Sequence, residues 1–388
     1  MSETSQKRVA FSLPDLGGHE LDYVAACLDG RGLAGDGSFT QRCHDMLSRH
    51  FGAPVLLTHS CTAAMEMAAI LFDLEPGDEV IMPSYTFAST ANAFVLRGAI
   101  PVFVDIRPDT LNLDESRLGA ALTPRTRAVV PVHYAGVGCE MDAILDFASA
   151  NALKVLEDAA QGYLSSWHGR PLGGMGNLGA LSFHASKNVV AGEAGLLVIN
   201  DAALGERAQI IREKGTNRTA FLKGEVNKYE WLDVGSSFLP SDLVAAVLLA
   251  QLEAAQAITA RRQALWAHYH DRFAAAAREG RVQRPVIPAK AAGNAHIYYL
   301  IFESGRRRDH VQSRLKQNGI AAYVHYIPLH SSPAGRRYGR CADKLAVTDR
   351  VAETMLRLPL HGLLTIDDVD RIADTIMAAL ADGSEIGG

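Results

Sequence analysis

The chain has no Cys-x-x-Cys pair and no even set of cysteines: Cys27, Cys43, Cys61, Cys139 and Cys341 are scattered along 388 residues. That spacing excludes a disulfide framework or a structural zinc site and suits the reducing cytosol, so no metal is expected. The opening MSETSQKRVA lacks the apolar core of a signal peptide, and a cytoplasmic location is expected. Long hydrophobic runs are missing as well. The strongest, Leu243 to Ala250, is followed by Gln251 and Glu253 and falls short of the ~18 residues a membrane span needs. It reads as part of a buried helix, and no membrane partner is expected. Positive charge is not in excess: 38 basic against 43 acidic residues give a net charge of −5. This argues against nucleic acid as a partner and requires any anionic ligand to be held by a local site. Internal repeats and low-complexity segments are also absent.

What is present is ordinary globular composition, 48% hydrophobic with 34 glycines and 15 prolines, which excludes a largely disordered or fibrous chain. Single cores tend to stop growing beyond ~250–300 residues, so two folding units are expected. The reading places a large unit at 1–245 and a smaller one at 246–388. In the first, short apolar runs alternate with helical stretches: 54–58, 78–82, 100–106, 127–134 and 153–159 as strands, with helices over 61–74, 86–96 and 140–152. The runs are nearly continuous rather than alternating, which predicts a mainly parallel α/β sheet covered on both faces. Two further strands, 180–186 and 196–200, lie too close in sequence for a helical crossover, so one of them should run antiparallel. Ser241–Asp242 signals the start of a long helix. A smaller α/β unit follows, with strands at 296–302 and near 321–325 and helices after Arg306, Val347 and Asp367.

Five local patterns bear on chemistry. Gly174-Met-Gly176-Asn-Leu-Gly179 matches the dinucleotide fingerprint, but it precedes a strand instead of following one, and reads as a loop. His59-Ser60-Cys61-Thr62 stands between a strand and an Ala-rich helix, where hydroxyls and free amides hold phosphate or simply cap the helix. Glu157-Asp158 ends a strand at the edge where open α/β sheets bind ligands, although Asp158 also suits a helix cap. Lys187 follows the strand containing Ser182 and leads into Gly192-Glu193-Ala194-Gly195. Pro83-Ser84-Tyr85-Thr86-Phe87 is an aromatic turn. Each is weak alone. Together they supply what pyridoxal phosphate (PLP) needs: a lysine amine, a carboxylate for the ring nitrogen, a phosphate cradle and a flat ring to pack against.

With these residues in view, the chain resembles the fold-type-I PLP-dependent nucleotide-sugar aminotransferases of the DegT/StrS type from about Leu13 to the last helix. The stretches that carry it are PGDEVIMPSYTFASTANAFVLRGAIPVFVDIRPDT, VVPVHYAG, LEDAAQG, SFHASKN, IREKGTNR and HYIPLHSSPAG. The resemblance implies that Lys187 forms the Schiff base and Asp158 partners the pyridinium. It implies that Gln161 lies over the cofactor or bonds its 3-hydroxyl, that Phe87 stacks on the opposite ring face, and that Cys61, Thr62 and Ser182 hold the phosphate. Ser237 would reach the phosphate across a homodimer, and His325 and His330 would face the substrate. GDGSFTQRC, LLTHSCTAAMEMA and VHYAGVGCEMD point to the branch that aminates dTDP-4-keto-6-deoxyglucose with L-glutamate, to give dTDP-4-amino-4,6-dideoxygalactose. An aminotransferase acting on another keto-sugar carbon or stereochemistry is the alternative. PLP sugar dehydratases resemble these enzymes but typically carry His at the Lys187 position, and a purely regulatory protein has no need of Lys187, Asp158 and Ser182 together. Relatives commonly read Gly-Glu-Gly-Gly where this chain has Ala194. A left-handed backbone there would cost roughly 1 kcal/mol.

Overall fold

The apolar runs become one sheet in the computed structural model, which describes residues 8–382. In chain order its strands are β1 (Val55–Thr58), β2 (Glu79–Pro83), β3 (Ile100–Val104), β4 (Thr126–Val129), β5 (Lys154–Asp158), β6 (Leu178–Ser182) and β7 (Gly195–Ile199). Across the sheet they lie in the order 1-7-6-5-4-2-3, with Arg340–Cys341 added parallel to β3 at the far edge. Strand β7 runs antiparallel to both its neighbours and every other pairing is parallel. Seven strands therefore point the same way and end along one edge, where an open α/β sheet offers its ligand crevice.

The continuous apolar runs have a simple cause. Successive side chains point to opposite faces, and both faces are covered. Ile81, Val102, Val104, Val129 and Val155 join a core with the helices Ser38–Phe51 and Asp242–Arg272. Val80, Met82, Phe103, Ala128 and Leu156 join a second core on the other face with the helix Cys61–Leu71, whose small Ala and Met side chains let it lie close.

The 31-residue helix Asp242–Arg272 belongs to two cores. Its Ala245–Ala255 stretch packs under the large sheet, and Leu265, Tyr269 and Phe273 pack in a separate cluster with Val9, Tyr298, Leu300 and the helix Ile366–Asp382. The small unit's sheet is antiparallel, with Val282–Gln283, Tyr298–Phe302 and Met355–Leu358 in that order. The strand expected near 321–325 does not form. Tyr323 makes a single bridge to Arg357, after which the chain leaves the sheet and its side chains bond elsewhere, His325 to Tyr134 and Tyr326 to Gln161. The third strand, Met355–Leu358, takes its place.

At the opposite edge of the large sheet, Glu79 fastens strands together. Its buried carboxylate accepts hydrogen bonds from Arg125, Arg340 and Thr123, each 2.7 Å at its shortest. The Arg340 bond foremost, with Thr123 and Arg125, outweighs desolvation and holds its pKa down at about 2. A carboxylate whose pKa is lower in the folded state stabilises above its unfolded value and loses that contribution as pH falls through the folded one. Glu79→Gln should therefore cost about 2 kcal/mol at pH 7. It should also flatten the acid-induced loss of stability between about pH 4.5 and 2, as measured by urea unfolding across that range.

Candidate active site

Where β1, β2, β5 and β6 end, a cavity of roughly 590 Å³ opens between the sheet edge and the small unit. The large unit supplies Cys61, Thr62, Phe87, Asp158, Gln161, Ser182 and Lys187 to its wall, and the small unit supplies His296, His325, Tyr326 and Arg357. All but two of the residues singled out in the sequence are thus brought together. His330 lies outside, bonded to Ser84 at 2.8 Å and to Asp349 at 3.2 Å, where it ties the loop before Pro333 to the end of β2. Ser237 is exposed and lies away from its own chain's cavity.

Asp158, the last residue of β5, is buried, and a carboxylate there needs donors. Thr90 Oγ1 donates to Oδ2 at 2.7 Å and the Ala160 amide to Oδ1 at 3.1 Å. Thr90's proton being committed, the 2.8 Å contact with Thr86 is a bond that Thr86 donates. Both threonines come from the turn and helix after β2, and Phe87 between them is left 61% exposed beside the cavity. Threonine spacing of four residues was the signal that could have revealed Thr90 in the sequence.

Gly195 explains how the other loops converge. It sits opposite both Thr58 and Ser182 in the sheet ladders, so β7 joins the ends of β1 and β6. A Cβ at Gly195 would lie 2.3 Å from the Cys61 amide and the Ser60 carbonyl carbon, so only glycine permits the approach. The helix Cys61–Leu71 starts there with Ser60 Oγ accepting from the Ala63 amide, which leaves the first amides of the helix facing the cavity end with the Thr62 and Ser182 hydroxyls nearby. This is a ready anion seat. The left-handed backbone in the following loop falls on Gly192 and not on Ala194, which packs in the core without strain.

Lys187 follows the turn after β6. Desolvation in the cavity pulls its amine below the usual lysine range; the Asp158 carboxylate opposes this, and Arg357 adds to it. The Cys61 thiol is pushed well up by burial and stays protonated. Gln161 is fixed at both ends, accepting from the Ala135 amide at 2.7 Å and donating to Tyr326 Oη at 2.9 Å. Ala135 keeps a left-handed φ of 59° under that constraint. On the small-unit wall, His296 Nδ1 donates to Asn188 Oδ1 at 3.0 Å, since Asn188 Nδ2 is spent on the Asn294 carbonyl. His325 shares a 2.7 Å bond with Tyr134 Oη. Burial, with nearby cations second, holds both imidazoles well below the normal histidine pKa, so they are neutral. His296, Tyr326 and Arg357 were not anticipated from the sequence, for they lie more than a hundred residues from Lys187 and reach it only through tertiary packing.

The glycine-rich motif has a structural use. The amides of Gly173, Met175 and Gly176 donate to the fully buried Glu157 at 2.6–2.9 Å. His133, whose Nδ1 accepts from the Cys139 amide, donates from Nε2 to the same carboxylate at 2.9 Å. Burial alone would raise the Glu157 pKa, but the His133 bond and the loop amides overcome it and leave the pKa lowered. The loop is an internal anion nest that anchors β5 behind Asp158. Every group around Glu157 is a donor, so an amide nitrogen there would face other donors. Glu157→Gln should cost about 3 kcal/mol in urea unfolding at pH 7.

The residues fit PLP: an amine, a buried carboxylate with hydrogen-bonded support, an exposed aromatic ring and an amide-and-hydroxyl anion seat occupy one cavity. Comparison with known proteins agrees. The DegT/DnrJ/EryC1/StrS aminotransferase family model matches residues 14–377. The spore coat polysaccharide biosynthesis protein SpsC of Bacillus subtilis is 34% identical over 96% of this chain and 97% of its own. A GDP-perosamine synthase of Caulobacter vibrioides is 32% identical over 94% and 96%. Among solved structures, the PLP form of Spr1654 from Streptococcus pneumoniae superposes with a TM-score of 0.88 at 26% identity, covering 97% of this chain and 99% of that one. The chain belongs to the DegT/DnrJ/EryC1/StrS family and is a PLP-dependent sugar aminotransferase of the fold-type-I architecture.

Proposed function

We propose that the protein moves the amino group of L-glutamate to C4 of dTDP-4-keto-6-deoxyglucose, giving dTDP-4-amino-4,6-dideoxygalactose and 2-oxoglutarate, as a cytoplasmic homodimer. The observation that carries this reading is the sharing of one cavity by Lys187, Asp158 and the amide-lined start of the Cys61–Leu71 helix. Relatives named for polysaccharide biosynthesis and for a nucleotide-linked amino sugar support a nucleotide-sugar acceptor. Trp231, 81% exposed, with Leu232 and Val234 beside it, supports a second copy packing over the Ser237 loop, where Ser237 would lend its hydroxyl to the other chain's phosphate seat.

PLP, when bound, supplies a carbonyl for the donor's amino group and a ring that accepts electrons. The chain's own residues do the rest. The Asp158 carboxylate holds a proton at the ring nitrogen, Phe87 and Gln161 keep the ring in place, and Cys61, Thr62 and Ser182 hold the phosphate. Lys187 Nζ, its ammonium form disfavoured by desolvation, takes the proton from the donor's α-carbon. In the return half it delivers a proton to C4 of the sugar. Neutral His296 and His325 bond to hydroxyls without adding charge.

Incubated with glutamate and the 4-keto sugar nucleotide, the protein should yield a 4-amino sugar of galacto configuration by NMR, and Lys187→Ala should lower turnover by at least about 10⁴-fold. A gluco-configured product would overturn the acceptor. Full transamination by Lys187→Ala would overturn the mechanism.

A further inference from the structure

His296 stands where the chain enters the strand Tyr298–Phe302, and its backbone is held on several sides. Arg262, buried on the long helix, donates to the Ala295 and His296 carbonyls at 3.2 and 2.6 Å. Ala295 keeps a left-handed φ of 53° beneath that clasp. Asn294 Nδ2 donates to the Gln161 and Tyr163 carbonyls, both at 2.8 Å. The segment cannot shift without losing bonds to both units.

Asn188, the residue after Lys187 and itself 6% exposed, sets the polarity of the imidazole. A carbonyl only accepts, so the Asn188 nitrogen must face the Asn294 oxygen at 2.9 Å. The Asn188 oxygen is left for His296 Nδ1 at 3.0 Å, and Nδ1 must carry the proton. Burial first, and then the charges of Lys187, Arg262 and Arg357, keeps the ring neutral. Nε2 is therefore a bare lone pair. The residue lines the cavity and is otherwise buried, and Nε2 has no partner among the described residues. His325 is not locked in this way, because the Tyr134 hydroxyl can either donate to it or accept from it.

A fixed, buried acceptor calls for a group that brings a hydrogen. The carboxylates of glutamate bring only lone pairs, whereas a sugar hydroxyl can donate. The reacting carbon must come to Lys187 Nζ, the strongest in effect of the charges around His296, so His296 meets a substituent close to the ketone. In a 4-keto-6-deoxy sugar the carbons beside the ketone are C3, which bears a hydroxyl, and C5, which bears a methyl. Only the C3 hydroxyl can donate.

We infer that His296 Nε2 accepts the hydrogen bond of the hydroxyl beside the ketone, so that the keto-sugar half of the cycle selects an acceptor hydroxylated at C3. Asn188 is the positioning residue that locks the ring for it. This rests on the keto-sugar reading above.

The test has a spectroscopic arm and a kinetic arm. In PLP-loaded protein with nitrogen-15-labelled histidine, NMR should show His296 protonated at Nδ1 and bare at Nε2, its signals assigned by their loss in His296→Gln. Asn188→Ala should move the ring toward the Nε2-protonated form. In single turnovers, wild type should favour dTDP-4-keto-6-deoxyglucose over its 3-deoxy analogue by about 30-fold. His296→Phe should lose about that factor on the hydroxylated sugar and less than about 3-fold on the analogue. His296→Gln, which keeps an acceptor oxygen, should retain about a 5-fold preference. The glutamate half-reaction of His296→Phe should change less than about 3-fold. A wild-type ring protonated at Nε2 would overturn the inference, as would a tautomer unmoved in Asn188→Ala. So would undiminished discrimination by His296→Phe, or an equal loss in both halves, which marks a structural role or a partner for Lys187. Should wild type aminate neither sugar, the keto-sugar reading falls and this inference with it; turnover of the hydroxylated sugar with any of the other failures removes the inference alone.

Discussion

The site depends first on one buried carboxylate at the end of a parallel strand. Asp158 is kept in an apolar setting because Thr90 and the Ala160 amide donate to it, and Thr90 is in turn oriented by Thr86. That chain of bonds fixes the start of the helix after β2, and with it the position of Phe87 beside the cavity. A single ion thus aligns two loops from neighbouring parts of the sheet. The negative charge also favours the ammonium form of Lys187 against desolvation and adds to the burial that keeps the Tyr326 hydroxyl protonated. Without it the cavity wall would keep Lys187 and Arg357 with no buried carboxylate among the described residues beside them.

Adjacent acids on β5 do different work because a strand sends neighbouring side chains to opposite faces. Asp158 faces the cavity; Glu157 faces the core, where a glycine-rich loop and His133 surround it with donors. The anchoring of Glu157 holds Asp158 toward the cavity, since the strand cannot rotate without stripping six partners from two buried carboxylates. Gly195 plays the matching part on the other side, drawing the ends of β1 and β6 to one point. The small unit then closes the cavity with uncharged imidazoles, a tyrosine and the single guanidinium of Arg357.

Most of the large sheet was legible in the sequence because strands buried on both faces leave unbroken apolar runs, and the short interval before β7 gave its direction away. Lys187, Asp158, Cys61, Thr62 and Ser182 were legible for the same reason, each standing where a run ends. The small unit was read less well. Residues 321–325 have strand-like composition but turn out of the sheet, and Met355–Leu358 pairs in their stead. His296, Tyr326 and Arg357 leave no local signature, because their placement is set by how the two units pack. The glycine-rich stretch at 174–179 stands before a strand and not after one, which argues against a nucleotide motif, yet the loop's role in holding Glu157 requires contacts across 16 to 19 residues that no spacing rule describes.

The protonation of the cofactor ring tests the role of Asp158 most directly. With PLP labelled with nitrogen-15 at the ring, the nitrogen chemical shift of the wild-type holoprotein should be that of a protonated pyridinium at neutral pH. In Asp158→Asn the shift should move to that of the neutral ring. A wild-type ring nitrogen that is unprotonated at pH 7, or one whose protonation survives the loss of Asp158, would contradict the view that this carboxylate organises the site.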